Sequence, residues 1–194
     1  PGGGNRRSTV CYGSSVDADR LAIGGPVVTT LRPYWYDVNE LSNGWQLACV
    51  SAGAPTSAEC LEALSWIPAT APGTVASALR SAGRLRVGDS LDLDNDDWWF
   101  RTRFQAAPVA RGERLVLGLD GIATVADVFL NGQCVHSSDS MFVPAALDVG
   151  GLVADENELA IHCHALAPLL RERRTPRARW RTRFVAEGNL RFYR

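Results

Sequence analysis

Three acceptor side chains in a row, Asn95, Asp96 and Asp97, run directly into Trp98, Trp99, Phe100, Arg101, Thr102, Arg103 and Phe104. Carboxylates and an amide accept hydrogen bonds from hydroxyl groups, and an indole offers a flat apolar face with one polar edge. That combination suits a sugar, whose ring has an apolar face and a rim of hydroxyls. We therefore take Asn95, Asp96, Asp97 and Trp98 as the candidate substrate-binding residues. The competing reading of the same residues is a solvated turn followed by two core tryptophans, since most loops only connect.

These residues need a rigid support, and the sequence describes one. From Trp98 onward, Trp98, Phe100, Thr102 and Phe104 share one parity while Trp99, Arg101, Arg103 and Gln105 share the other, which predicts a strand with one buried face. Trp45, Leu47 and Cys49 alternate in the same way after the Asn43-Gly44 turn signal and predict an earlier core strand. Residues 59–64 fit one helical turn, and residues 68–73, with two prolines and a glycine, predict irregular backbone. Thr74 fits the N-cap of a short helix carrying Val75, Ala78 and Leu79, which stops at Gly83. Residues 84–94 then read as a connecting loop.

Beyond Phe104 strand signals recur at close intervals: residues 114–119, 124–130, 133–137, 141–147 and 158–165. Asn131-Gly132 between the second and third is the strongest hairpin signal in the chain. About eight short strands at such spacing predict an all-β, antiparallel jelly-roll β-sandwich with one short helix. Residues 41–166 form that domain. Residues 1–40, rich in Gly and Ser, read as a flexible arm in which only 27–31 suggests a strand, and residues 167–194 read as an Arg-rich arm. The expected core is Trp45, Phe100, Phe104, Leu117, Val128, Leu130, Leu159 and Ile161.

With 194 residues, 46% hydrophobic and 21% charged, the chain has an ordinary globular composition, which excludes disorder throughout. No apolar run reaches the roughly 20 residues of a membrane span, so no membrane partner is expected. The five cysteines (Cys11, Cys49, Cys60, Cys134 and Cys163) are odd in number and form no C-x-x-C pair. They point to free thiols in a reducing cytoplasm, although the chain starts at Pro1 and leaves an upstream segment open. Cys49, Cys134 and Cys163 fall in strand signals, where a thiol acts as a small hydrophobe. His162 and His164 share one side of a strand with no companion cluster in the sequence, so we expect neither metal nor cofactor. All twenty basic residues are Arg, and nine lie in residues 171–194 against two acids.

The order of motifs is recognisable: Gly44-Trp45, then Ala71-Pro72-Gly73-Thr74-Val75, Asp97-Trp98-Trp99-Phe100-Arg101, Asp127-Val128-Phe129-Leu130-Asn131-Gly132, Ser140-Met141-Phe142-Val143-Pro144 and Glu156-Asn157-Glu158-Leu159. Over residues 41–166 it resembles the N-terminal sugar-binding domain of family 2 glycoside hydrolases, and within them the β-mannosidase branch. The resemblance implies a galactose-binding-like sandwich, followed in the full enzyme by an immunoglobulin-like domain and a (β/α)₈ barrel. It also implies that the acid/base and the nucleophile are barrel glutamates acting with retention of configuration. A barrel takes about 250 residues, so none fits in this chain. Asp96 and Asp97 do not replace its pair, because neighbours on extended backbone point apart whereas retaining hydrolysis needs carboxyls about 5–5.5 Å apart facing one sugar. No catalytic residue is expected, and the isolated chain is not expected to be an enzyme.

Three readings of function remain open. The first is a non-catalytic domain of a β-mannoside hydrolase, with residues 95–98 at the rim of the active-site pocket. The second is an independent carbohydrate-binding module, which needs an exposed aromatic platform drawn from Trp66, Trp98, Trp99 or Trp180. The third is binding of nucleic acid or an acidic partner through residues 171–183, where Trp180 and Phe184 stand among arginines. We favour the first, with carbohydrate as partner and no nucleic acid.

Overall fold

The computed structural model describes residues 9–12, 38–54, 61–86, 88–89, 92–106 and 113–172. The predicted 27–31 strand and the arginine-rich stretch beyond 172 lie outside them. Among the described residues ten strands form two open sheets. The larger is built from β3 (Gln46–Ser51), β4 (Ile67–Pro68), β5 (Asp96–Gln105), β7 (Ala126–Leu130), β8 (Gln133–Ser138) and β10 (Glu156–Cys163), in the order β4-β3-β5-β10-β7-β8. The smaller contains β1 (Thr9–Tyr12), β2 (Val38–Glu40), β6 (Val116–Leu119) and β9 (Ala145–Asp148), in the order β2-β1-β6-β9. The fold is the expected galactose-binding-like β-sandwich.

The ten-residue strand β5 lies between β3 and β10 and pairs antiparallel with both. Its inward face carries Trp98, Phe100, Thr102 and Phe104, as the alternation predicts. Leu159 and Ile161 of β10, Val128 and Leu130 of β7, Leu117 and Leu119 of β6 and Trp45 meet in the main core, with Phe100 and Phe104 packed against it half-buried. A second cluster joins Leu47, Ile67, Leu85 and Trp98 to Ala78 and Leu79 of helix α1 (Val75–Ser81). That helix exists because Val75, Ala78 and Leu79 make one apolar stripe. Thr74 caps it reciprocally with Ser77, satisfying backbone N–H groups that a first turn leaves open. The β7–β8 hairpin turns at Asn131 and Gly132, both with positive φ (52° and 80°), as a tight primed turn requires.

Four sequence expectations are corrected. The outer face of β5 is solvated only at Arg103 and Gln105: Trp99 and Arg101 are 1% and 9% exposed, because the segment around Leu61–Trp66 and the rings of Phe129 and His162 cover them. Residues 1–40 are not only an arm, since β1 pairs parallel with both β2 and β6. Such a strand gains its ladder from distant residues and needs no alternation of its own. A second helix, α2 (Leu166–Glu172), follows β10. Pro168 is compatible with it because a first helical turn needs no N–H there. In β3, Leu47 and Ala48 are buried while Cys49 is exposed, as is Cys134. Of these three described cysteines, Cys163 alone packs against the core, partly buried, and burial pushes its thiol up to about 12.

Candidate functional site

The start of β5, the end of β10 and the start of β7 come together at one end of the sandwich. There the loops 71–74 and 121–124 and the turn at Met141 surround a cleft of about 590 Å³. Two glycines permit this backbone: a Cβ on Gly73 would strike the carbonyl oxygen of Thr70 in the same tight turn, and one on Gly121 would strike that of Met141 in the neighbouring loop. The cleft is apolar through Val75, Leu93, Trp98, Ile122 and Ile161, with Thr74, Asp94, Asp96, Thr124 and His164 as its polar groups. A wall of indole and aliphatic carbon with a few carboxylates and hydroxyls is the surface a sugar ring fits.

The four residues singled out from the sequence separate here. Asp96 and Trp98 line the cleft, but Trp98 is 8% exposed and its Nε1 donates to the Leu93 carbonyl at 2.9 Å. It is a wall held in place, not a free platform. Asn95 is exposed and is not among the cleft-lining residues. Asp97 points to the opposite face of β5 and is 3% exposed. Its Oδ1 accepts from the Ala165 backbone N–H at 2.7 Å, and its Oδ2 faces the Gly53 N–H at 3.0 Å and His162 Nε2 at 3.1 Å. Both oxygens are thus taken by groups of its own chain. Burial alone would raise its pKa. The two N–H donors and His162 outweigh that and hold it below the usual carboxylate range.

A constellation that sequence reasoning missed lies on that outer face. His162 and His164 do have companions: Asp97 from β5, and Asp127 from β7, whose Oδ2 lies 2.8 Å from His164 Nε2. The ring of Trp99 stacks on His162 at 4.3 Å with 5° between planes, and the two imidazoles stand 4.2 Å apart. Burial, followed by the neighbouring His164, lowers the pKa of His162 and favours its neutral form. Desolvation would raise Asp127, but Ser137 Oγ and His164 outweigh it and lower its pKa. The signal available in sequence was the H-x-H spacing. The partners are 65 and 37 residues away along the chain, so only the sheet register reveals them. Farther along the same face the guanidinium of Arg101 lies 4.0 Å over the Trp66 ring, with Gln46 and Glu62 in hydrogen-bond reach. That cluster clamps the 61–66 segment to the sheet.

Comparison with known proteins places this geometry. Residues 45–194 match the family model described as glycosyl hydrolase 2 galactose-binding domain-like. The chain is 45% identical over 65 residues to β-mannosidase B of Thermothelomyces thermophilus, covering 33% of this chain and 8% of that protein. It is 35% identical over 106 residues to β-mannosidase of Rattus norvegicus, covering 49% and 12%. With β-mannosidase B of Aspergillus terreus it shares 28% over 152 residues, covering 72% and 17%. Among solved structures, a β-D-mannosidase from Dictyoglomus thermophilum superposes with a TM-score of 0.55 over 70% of this chain and 17% of its own, at 24% identity; at that identity it supports the fold alone. The chain thus corresponds to no more than about a sixth of the length of these relatives. It belongs to the glycosyl hydrolase 2 galactose-binding domain-like family, with its likeness in the β-mannosidase branch.

Proposed function

We propose that the chain is the non-catalytic sugar-binding domain of a β-mannoside hydrolase, and that its cleft end forms part of the wall of the active-site pocket. The observation that carries this reading is the convergence of Asp96 and Trp98 with the loops 71–74 and 121–124 around one apolar cleft with few polar groups. In the proposal the acid/base and nucleophile belong to a barrel domain of the same polypeptide, joined through an immunoglobulin-like domain, and hydrolysis proceeds with retention. Asp96 accepts a hydroxyl of the mannoside, and Trp98 shapes the wall. Asn95 contributes at the exposed rim, and Asp97 acts only by fixing the strand behind them. The test is steady-state kinetics of the full-length protein on an aryl β-mannoside. A hydrogen bond to a charged group contributes about 1.5–3 kcal/mol, so Asp96→Asn should lower kcat/KM by roughly one to two decades. Wild-type kinetics in both Asp96→Asn and Trp98→Phe would make this end of the sandwich scaffold only.

A carbohydrate-binding module is the second reading, and one observation favours it: Phe142 is 81% exposed beside Met141 of the cleft. Trp98 and Trp99, by contrast, are buried, and Trp66 lies under Arg101, so none of the three is an open platform. Retention of this chain on insoluble mannan, lost in Phe142→Ala, is the result that would favour it. The arginines proposed for nucleic acid, apart from Arg171 in α2, lie outside the described residues.

A further inference from the structure

The four side chains on the outer face form a crossed pattern. β10 lies between β5 and β7, and His162 sits opposite Asp127 in the ladder with β7. The register that pairs Cys163 with Trp98 puts His164 beside Asp97. Yet each histidine reaches the other acid: His162 Nε2 is 3.1 Å from Asp97 Oδ2, and His164 Nε2 is 2.8 Å from Asp127 Oδ2. Both diagonals run toward the middle of the patch, and the two rings, two residues apart on a strand, close to 4.2 Å between centroids. Ligand atoms of Asp97, His162 and His164 all lie within 4.8 Å of one another.

We propose that His162, His164, Asp97 and Asp127 together hold one divalent transition-metal ion of borderline softness, in the class of zinc. Zinc bonds to imidazole nitrogen and carboxylate oxygen are near 2.0–2.2 Å, so a tetrahedral site has ligand edges of about 3.3 Å. The two measured nitrogen-oxygen separations, 3.1 and 2.8 Å, are hydrogen-bond distances a few tenths of an ångström below such an edge; Asp97, His162 and His164 already form one close group, and side-chain rotation that brings Asp127 in beside His164 completes the set. The set has an accessible half and a buried half: the His164 and Asp127 side chains are 34% and 30% exposed, against 7% and 4% for His162 and Asp97. Solvent thus reaches the site from one side, while the buried half is already fixed.

The surrounding groups have the form of an outer ligand shell. Asp97 is oriented by two backbone N–H groups, Asp127 by Ser137 Oγ on its other oxygen, and His162 by the stacked Trp99 ring. Such partners set ligand orientation in metal sites. Two imidazoles favour zinc, cobalt or nickel over calcium or magnesium, which take oxygen ligands. Coordination through Nε2 leaves the proton of a neutral imidazole on Nδ1. The ion would join β5, β10 and β7 across the centre of the larger sheet. It is placed to stabilise the sheet; Asp97, His162 and Asp127 lie on the face opposite to that of Trp98, and His164, past the end of β10, also borders the cleft.

The experiment is titration of the chelator-treated 194-residue chain with Co²⁺ followed by visible absorption, and with Zn²⁺ followed by calorimetry and thermal melting. Expected are one ion per chain, intense ligand-field bands of a tetrahedral site, and a melting temperature that rises with Zn²⁺ and falls back with chelator. Ca²⁺ or Mg²⁺ should not compete. His164→Ala and Asp127→Asn, which alter the exposed half of the site, should melt near the parent in chelator and bind at least about a hundredfold more weakly. If either unfolds, the wild-type cobalt spectrum decides alone. No stoichiometric binding, equal affinity in both variants, or a near-ultraviolet thiolate band showing that cysteines hold the ion would each overturn the proposal.

Discussion

Asp97 is hydrogen-bonded to His162 at 3.1 Å although the sheet register pairs His162 with Trp99. The carboxylate reaches along the strand to a diagonal neighbour, and the indole of Trp99 lies flat on the same imidazole. Asp97 also accepts from Gly53, next to β3, and from Ala165, just past β10. One side chain thus closes three strands at the edge of the candidate pocket.

Replacing Asp97 by Asn should therefore destabilise the fold without touching substrate directly. The amide has one acceptor oxygen for three donors and sets its own NH₂ against them. Loss of hydrogen bonds to a buried charge costs about 1.5–3 kcal/mol each at most. Urea denaturation is the measurement. A midpoint equal to that of the parent would mean that the three contacts contribute nothing.

Stability should fall in two stages as the pH is lowered, measured with chelator present. The pKa of His162 is depressed below its ordinary value of 6.5, chiefly by burial. The unfolded chain takes up a proton that the folded one resists, so stability declines as pH drops below 6.5. Asp97 and Asp127 lie below their ordinary 3.8. Their contribution is present above that value and is lost as the pH falls through their folded values. His162→Gln should flatten the upper stage and weaken the lower one, since His162 is one of the groups that hold Asp97 and Asp127 low.

Arg101→Lys should be a poor substitution despite its conserved charge. Only a guanidinium offers a planar face for Trp66 at 4.0 Å together with separate donors to Gln46 and Glu62. Loss of the stacked contact alone is worth about 0.5–2 kcal/mol. Protease nicking near residues 61–66 should accelerate in the variant. An unchanged rate would leave that segment anchored by other contacts.

Leu159 is fully buried between the sheets, so Leu159→Ala should cost about 2–5 kcal/mol by lost burial and the cavity left behind. Phe104, only half-buried against the same core, should lose less than a fully buried Phe. Thermal melting of the pair ranks them. A reversed order would contradict the packing described for β5 and β10.

No phenol should be released from an aryl β-mannoside by this chain alone. Asp96 lines the cleft and Asp97 faces the other side of the same strand, so the neighbouring pair cannot flank one glycosidic bond. Turnover abolished by changing either residue would refute this.

The alternation through Phe104, the Asn131-Gly132 turn, the Thr74 cap and the apolar faces of Leu117, Val128, Leu130, Leu159 and Ile161 were legible in sequence because each depends on residues within one turn or one strand. Together with the order of motifs they determine a galactose-binding-like sandwich. What covers the second face of β5 was not legible. The partners of Trp99, Arg101 and Asp97 come from strands and loops tens of residues away, and a period-two pattern cannot say whether a polar side chain meets water or a distant partner. Asp97 shows the consequence: its type and position suggested a sugar ligand, and only the tertiary structure, by placing two backbone N–H groups and His162 around it, made it a buried acceptor. The pairing of β1 was hidden for the same reason, since a short parallel strand is specified by the edge it joins.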